Sequence, residues 1–117
     1  MIVCVALTDG GLVDPRWGRA DRLAVATVKN GVATDWQEHE VKWGSLRQAG
    51  SERAHHARVA RFLRQQHVDV VLAHHMGDEM LRILKTMKIA VHLGVAGNAR
   101  EAVEALAAQG AAPVGLA

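Results

Sequence analysis

The sequence predicts an α/β fold in which a mixed five-stranded sheet, in strand order 3-2-1-4-5, packs against three helices. Three observations point to it. An unbroken apolar run at residues 2–7 reads as a central strand buried on both faces. Asn30-Gly31 separates the next two β-rich runs and is the strongest short signal for a hairpin, because both residues tolerate positive φ. From residue 51 onward, helical and β-branched segments alternate as they do in parallel βαβ units.

Each element follows in order. The first strand closes at Thr8-Asp9-Gly10-Gly11, and residues 10–21 carry no apolar period of either kind, so they form a loop. Strands at 23–28 and 32–41 make the hairpin. The second of these mixes Asp35, Gln37, Glu38 and Glu40 with Val32, Trp36 and Val41, a pattern that suits a charged sheet edge. Residues 42–50 read as another loop. Ser51 is an N-cap with Glu52 in the first turn of a helix over 52–67, whose apolar stripe is Val59, Phe62 and Leu63 and whose Arg58, Arg61 and Arg64 face water. A β-branched strand at 68–73 leads through His74-His75-Met76-Gly77 into a helix over 78–87, with Met80, Leu81, Leu84 and Met87 turned inward. A strand at 89–93 follows, and Asn98-Ala99-Arg100-Glu101 approximates a capping box for a helix ending at Gly110.

Composition narrows the function classes. At 117 residues, half of them apolar, the chain predicts a single globular domain over 1–117. No apolar stretch approaches the roughly 20 residues of a bilayer span, so no membrane partner is expected. The amino terminus runs directly into the first strand without a basic leader, which predicts a cytoplasmic protein. A net charge of +2, with three Trp, one Phe and no Tyr, offers neither the basic face nor the stacking aromatics of a nucleic-acid binder. The one cysteine, Cys4, lies inside the first strand and reads as core. Seven histidines are the unusual entry.

Topology gathers them. Right-handed crossovers align the first, third, fourth and fifth strands, so their carboxyl ends share a rim, the usual place for ligands in open α/β sheets. Asp9, Gly10, His39, His55, His56, His74, His75 and His92 fall at or near that rim, while His67 does not.

At this point the chain resembles the small domains that bind the iron-molybdenum cofactor of dinitrogenase or its precursors, the NifX-like group. The resemblance covers nearly the whole chain. It rests on the first strand ending in Asp9-Gly10, on Arg16-Trp17-Gly18-Arg19-Ala20, on the Asn30-Gly31 hairpin, on Val68-Asp69-Val70-Val71-Leu72-Ala73 before a turn with Gly77, and on Lys88-Ile89-Ala90-Val91 followed by Ala102-Val103-Glu104-Ala105-Leu106. It implies a ribonuclease-H-like three-layer fold and a non-catalytic role: binding, carrying or inserting an iron-molybdenum cofactor or metal-sulfur precursor during cofactor biosynthesis, with a client or cluster-donor protein as partner. Arg16 stands where the family often has His, and His74-His75 where it usually has two glycines.

Candidate site residues follow from charge and donor type. Such clusters are anions, which arginine forks and free backbone N–H groups bind. Arg16 and Arg19 with Trp17 and Gly18, Asp9 and Gly10, and the Met76-Gly77 start of a helix form the predicted cluster-binding set. The arginines alternatively pair with Asp9, Asp14 or Asp21. His74, His75, His55 and His56 are candidate ligands for zinc, copper or iron, with His39 a further donor across the rim. Alternatively they are amphipathic fillers, and adjacent imidazoles on a turn point apart. A small regulatory domain binding a simple anion or a partner protein remains open. So does a two-metal nuclease using Asp9, Glu52 and Asp78, though three loosely placed acids suit it poorly.

Overall fold

The computed structural model describes residues 1–46 and 50–109. Its strands are β1 (Ile2–Leu7), β2 (Arg22–Lys29), β3 (Val32–Glu40), β4 (Val70–Leu72) and β5 (Ala90–His92), and its helices are α1 (Trp43–Leu46), α2 (Glu52–Gln65), α3 (Asp78–Thr86) and α4 (Ala99–Ala108). The sheet runs β3-β2-β1-β4-β5, the predicted order. β1 pairs antiparallel with β2 (Cys4 opposite Val25) and parallel with β4 (Cys4 opposite Val71), and β4 pairs parallel with β5.

The alternation along β1 divides the core in two. Cys4 and Ala6 face one side, where Val59 and Leu63 of α2 and Met80 and Leu84 of α3 cover them. Val3, Val5 and Leu7 face the other, beneath Val103, Leu106 and Ala107 of α4. All of these side chains are buried, and the result is three layers with β1 at the centre. β3 is the exposed edge that its charges foretold.

Local chemistry sets the helix ends. Ser51 Oγ accepts the Ala54 N–H at 3.1 Å, and Asn98 Oδ1 accepts the Glu101 N–H at 2.9 Å. α2 and α3 stop short of residues 67 and 87 because the chain turns left-handed just beyond them, at His67 (φ 56°) and Lys88 (φ 62°), positions more often given to glycine. The short strands β4 and β5 lie within the longer β-branched runs that predicted them, since only their middles pair. The helix end expected at Gly110 lies outside the described residues.

One element departs from the sequence reading. The stretch expected as a loop holds α1, so the described residues contain four α-helices rather than three. A single turn is too short to show a helical period, but Trp43 is 1% exposed and holds that turn against the core. Among the described residues, no helix is long and apolar enough to cross a membrane.

Replacing the α4 cap, Asn98→Ala, removes a partner from the Glu101 N–H and should lower stability by about 1 kcal/mol. Urea denaturation followed by circular dichroism reads the change as a lower midpoint at unchanged slope.

Candidate functional site

Beyond β1 the chain folds back on itself, with the Asp14 N–H donating to the Ala6 carbonyl at 2.9 Å. The buried Asp14 carboxylate then accepts the Arg16 N–H at 2.9 Å and pairs with Arg16 Nε at 3.5 Å. This fixes the entry to a 3-10 turn at Trp17–Arg19, closed by the Arg19 N–H on the Arg16 carbonyl at 2.9 Å. Trp17 is 2% exposed and meets Trp43 edge-on, with ring centroids 5.6 Å apart. Its indole Nε1 is buried and has no hydrogen-bond partner among the described residues.

The first turn of α2 forms a second wall. His55 is buried and takes a hydrogen bond on Nδ1 from Arg58 at 3.3 Å, which leaves Arg58 half-buried at the border of the solvated face the helical period predicts. His56 Nε2 pairs with Glu52 at 3.3 Å. The third wall is the turn from β4 into α3, with His75 exposed and Met76 and Met80 buried. Gly77 is the N-cap of α3, and no side chain caps that terminus. A methyl group placed on Gly77 would meet nothing within 4 Å, so the space beside the helix start is open. The first N–H groups of any helix lack intrahelical partners and carry its positive dipole end.

These walls enclose an open basin of about 530 Å³ at the carboxyl ends of β1 and β4, on the α2–α3 side of the sheet. Arg16, Trp17, Gly18, Arg19, Met76, Gly77, His55, His56 and His75 all line it. Asp9, Gly10 and His74 do not. Asp9 and Gly10 stand on a turn that is tied to the start of α4, through the Val13 N–H on the Gly97 carbonyl at 2.8 Å and the Ala99 N–H on the Gly11 carbonyl at 3.0 Å. His74 holds the Gly94 N–H through its carbonyl at 2.9 Å, beside β5. His39 packs edge-on against Phe62 at 5.3 Å, away from the basin.

The imidazoles therefore do not assemble as a ligand set. Among the described residues, no three His, Cys, Asp or Glu side chains converge on a metal position. Of the adjacent pair, His75 lines the basin and His74 does not, and His56 is engaged by Glu52. The three acids weighed for nuclease chemistry also separate, since Glu52 and Asp78 line the basin and Asp9 does not.

Charge around the basin is mixed. Glu79 is held by Arg82 at 3.0 Å and Arg16 by Asp14, while Arg19 has no ion pair among the described residues. Asp78 sits on the first turn of α3 and opposes an anion there. The Arg16–Asp14 pair is one of the alternatives the sequence offered for the arginines, whereas the sequence did not single out Gly44 or Trp43. A tryptophan within an otherwise polar stretch was the available signal for Trp43.

The family model described as dinitrogenase iron-molybdenum cofactor matches residues 1–109. No curated protein matches the chain. Among solved structures, the crystal structure of PH0822 is similar with a TM-score of 0.78 and 16% identity, covering 93% of this chain and 90% of that one. The apo form of the orange protein from Desulfovibrio gigas has a TM-score of 0.67 and 24% identity, covering 88% and 83%. A putative NifB protein from Thermotoga, solved by NMR, has a TM-score of 0.67 and 18% identity, covering 90% and 85%. These likenesses establish the fold.

Two measurements test the geometry. Burial pushes the Cys4 thiol far up from its ordinary range, so the native protein should not react with Ellman's reagent at pH 8, whereas the guanidinium-unfolded chain should react at once. Trp17→Phe deletes an unpartnered buried donor but also the bulk of the indole, so the relieved desolvation and the lost packing oppose one another and the ligand-free variant should stay within about 1 kcal/mol of wild-type stability in urea denaturation.

Proposed function

This chain belongs to the dinitrogenase iron-molybdenum cofactor family, and from that premise we propose that it binds and carries a metal-sulfur cluster in the basin between Arg19, His75 and the start of α3. The carrying observation is the convergence on one open cavity of an uncapped helix start and an arginine that has no ion pair among the described residues. Both are positive poles that donate hydrogen bonds. An anion would engage each at little cost, because neither must first abandon another partner.

The donor set also limits the cargo. The only thiol of the chain is in the core, so the cluster would arrive with its inorganic sulfides already in place. The protein would hold it by charge and hydrogen bonds, with His75 the imidazole nearest to a direct ligand role. Such holding suits loading and release rather than turnover, and the reading assigns no catalysis. A cluster donor and a client enzyme in cofactor biosynthesis are its natural partners, in the cytoplasm.

A second reading is favoured by the same arginines: a regulatory domain sensing a simple oxyanion, since guanidinium and backbone amides do not by themselves distinguish sulfide from oxide. Anaerobic titration with tetrathiomolybdate and molybdate separates the two. The carrier reading expects clear preference for the sulfide-rich anion, and equal or reversed affinity would sink it.

Four variants test the site. Arg19→Ala should weaken tetrathiomolybdate binding by about 1.5–3 kcal/mol if its contact is charge-assisted. His75→Ala should weaken it while His74→Ala should not, because only His75 lines the basin. Asp78→Asn should strengthen binding about two- to fivefold by removing a like charge from the helix start.

A further inference from the structure

α1 packs against the turn that carries Arg19, and the contacts are main-chain. The Trp43 N–H donates to the Ala20 carbonyl at 3.0 Å, and the Val41 and Lys42 N–H groups share the Asp21 carbonyl at 2.8 and 3.0 Å. Gly44 sits where the two segments come closest. A Cβ on Gly44 would lie 2.8 Å from the Arg19 carbonyl oxygen and 3.5 Å from Asp21 Oδ1. The nearer atom is backbone, so it cannot swing aside as a side-chain end would. Gly44 is not among the glycines with positive φ, so space and not conformation is what calls for glycine there.

The displacement has one soft direction. α1 cannot readily back away, because Trp43 is seated edge-on against His55 at 6.4 Å and Phe62 at 6.0 Å, both on α2. Trp17 anchors one end of the facing turn in the core, but Arg19 at its other end is exposed and is the freer partner. We infer that Gly44 is a positioning residue for anion recognition, setting the depth at which the Arg19 turn stands in the basin wall. This rests on the basin being the cargo site. Gly44 itself touches no cargo and acts through Arg19.

A double-mutant cycle distinguishes positioning from loss of stability. Tetrathiomolybdate affinity is measured anaerobically for wild type, Gly44→Ala, Arg19→Ala and the double variant, with circular dichroism confirming that each is folded. Gly44→Ala alone should weaken binding by about three- to tenfold, within the range coupled neighbours show. In the Arg19→Ala background it should cost less than about twofold, because the group it misplaces is already gone. Equal losses in both backgrounds, or no loss in either, overturn the inference. If Gly44→Ala does not fold, Trp43→Phe, which trims the contact with Trp17, should give the same background-dependent pattern.

A spectroscopic readout separates this inference from the functional reading beneath it. In ¹H–¹⁵N spectra, Gly44→Ala should move the Arg19 amide and the Trp17 indole resonances. Trp36, which lies under Arg100 on the α4 side of the sheet, should stay in place. Unmoved Arg19 and Trp17 signals overturn positioning whatever binds. Moved signals in a protein that takes up neither tetrathiomolybdate nor molybdate overturn the carrier reading instead.

Discussion

The edge-to-face packing of Trp43 is the contact on which the basin depends. One buried indole touches Trp17 from the loop after β1 and both His55 and Phe62 from α2, so two walls of distant sequence origin share a single post. Aromatic pairs of this geometry contribute about 0.5–1.5 kcal/mol each beyond the area they bury. Their directionality matters more here than their sum, because a ring seated edge-on in three places has one orientation and the walls inherit it. The third wall needs no such post. It emerges from β4, which β1 and β5 hold on either side.

Strand order was legible because few residues carry it strongly. Asn30-Gly31 specifies the hairpin, and Gly31 indeed takes φ 75° and Asn30 φ 53°. The run Ile2–Leu7 announces a two-sided strand, and crossover handedness supplies the remainder. The rim followed from topology, and the family resemblance and the needs of an anion added Arg16 to Arg19, Met76 and Gly77, which the structure brings to one basin. What failed was finer. Asp9 and Gly10 stand just past the end of β1, but hydrogen bonds of Gly11 and Val13 tie their loop to the start of α4, and neither lines the basin. α1 was unreadable because four residues show no period, and its role is set by a tertiary contact. Which of two adjacent imidazoles enters a cavity is likewise a matter of turn geometry that spacing does not encode.

The mixed charge of the basin has a physical sense under the proposed carrier role. A wall of unpaired arginines would hold an anion tightly and release it slowly. Here Arg16 is already tethered to Asp14, and Asp78 sits against the helix dipole, so attraction is present but tempered. Retention then depends on geometry more than on net charge, which lets a modest displacement of one wall alter affinity.

The placement of Cys4 has a consequence of a different kind. Thiolates exchange with disulfides, are oxidised stepwise to sulfenic and sulfinic acids, and trade electrons with any redox-active neighbour they can reach. With its one thiol sealed in the central strand and held protonated by burial, this chain brings no accessible couple of its own to the basin. A cluster resting there would neither gain nor lose electrons to a protein thiol. Any change in its oxidation state would have to come from outside the chain's own thiol chemistry.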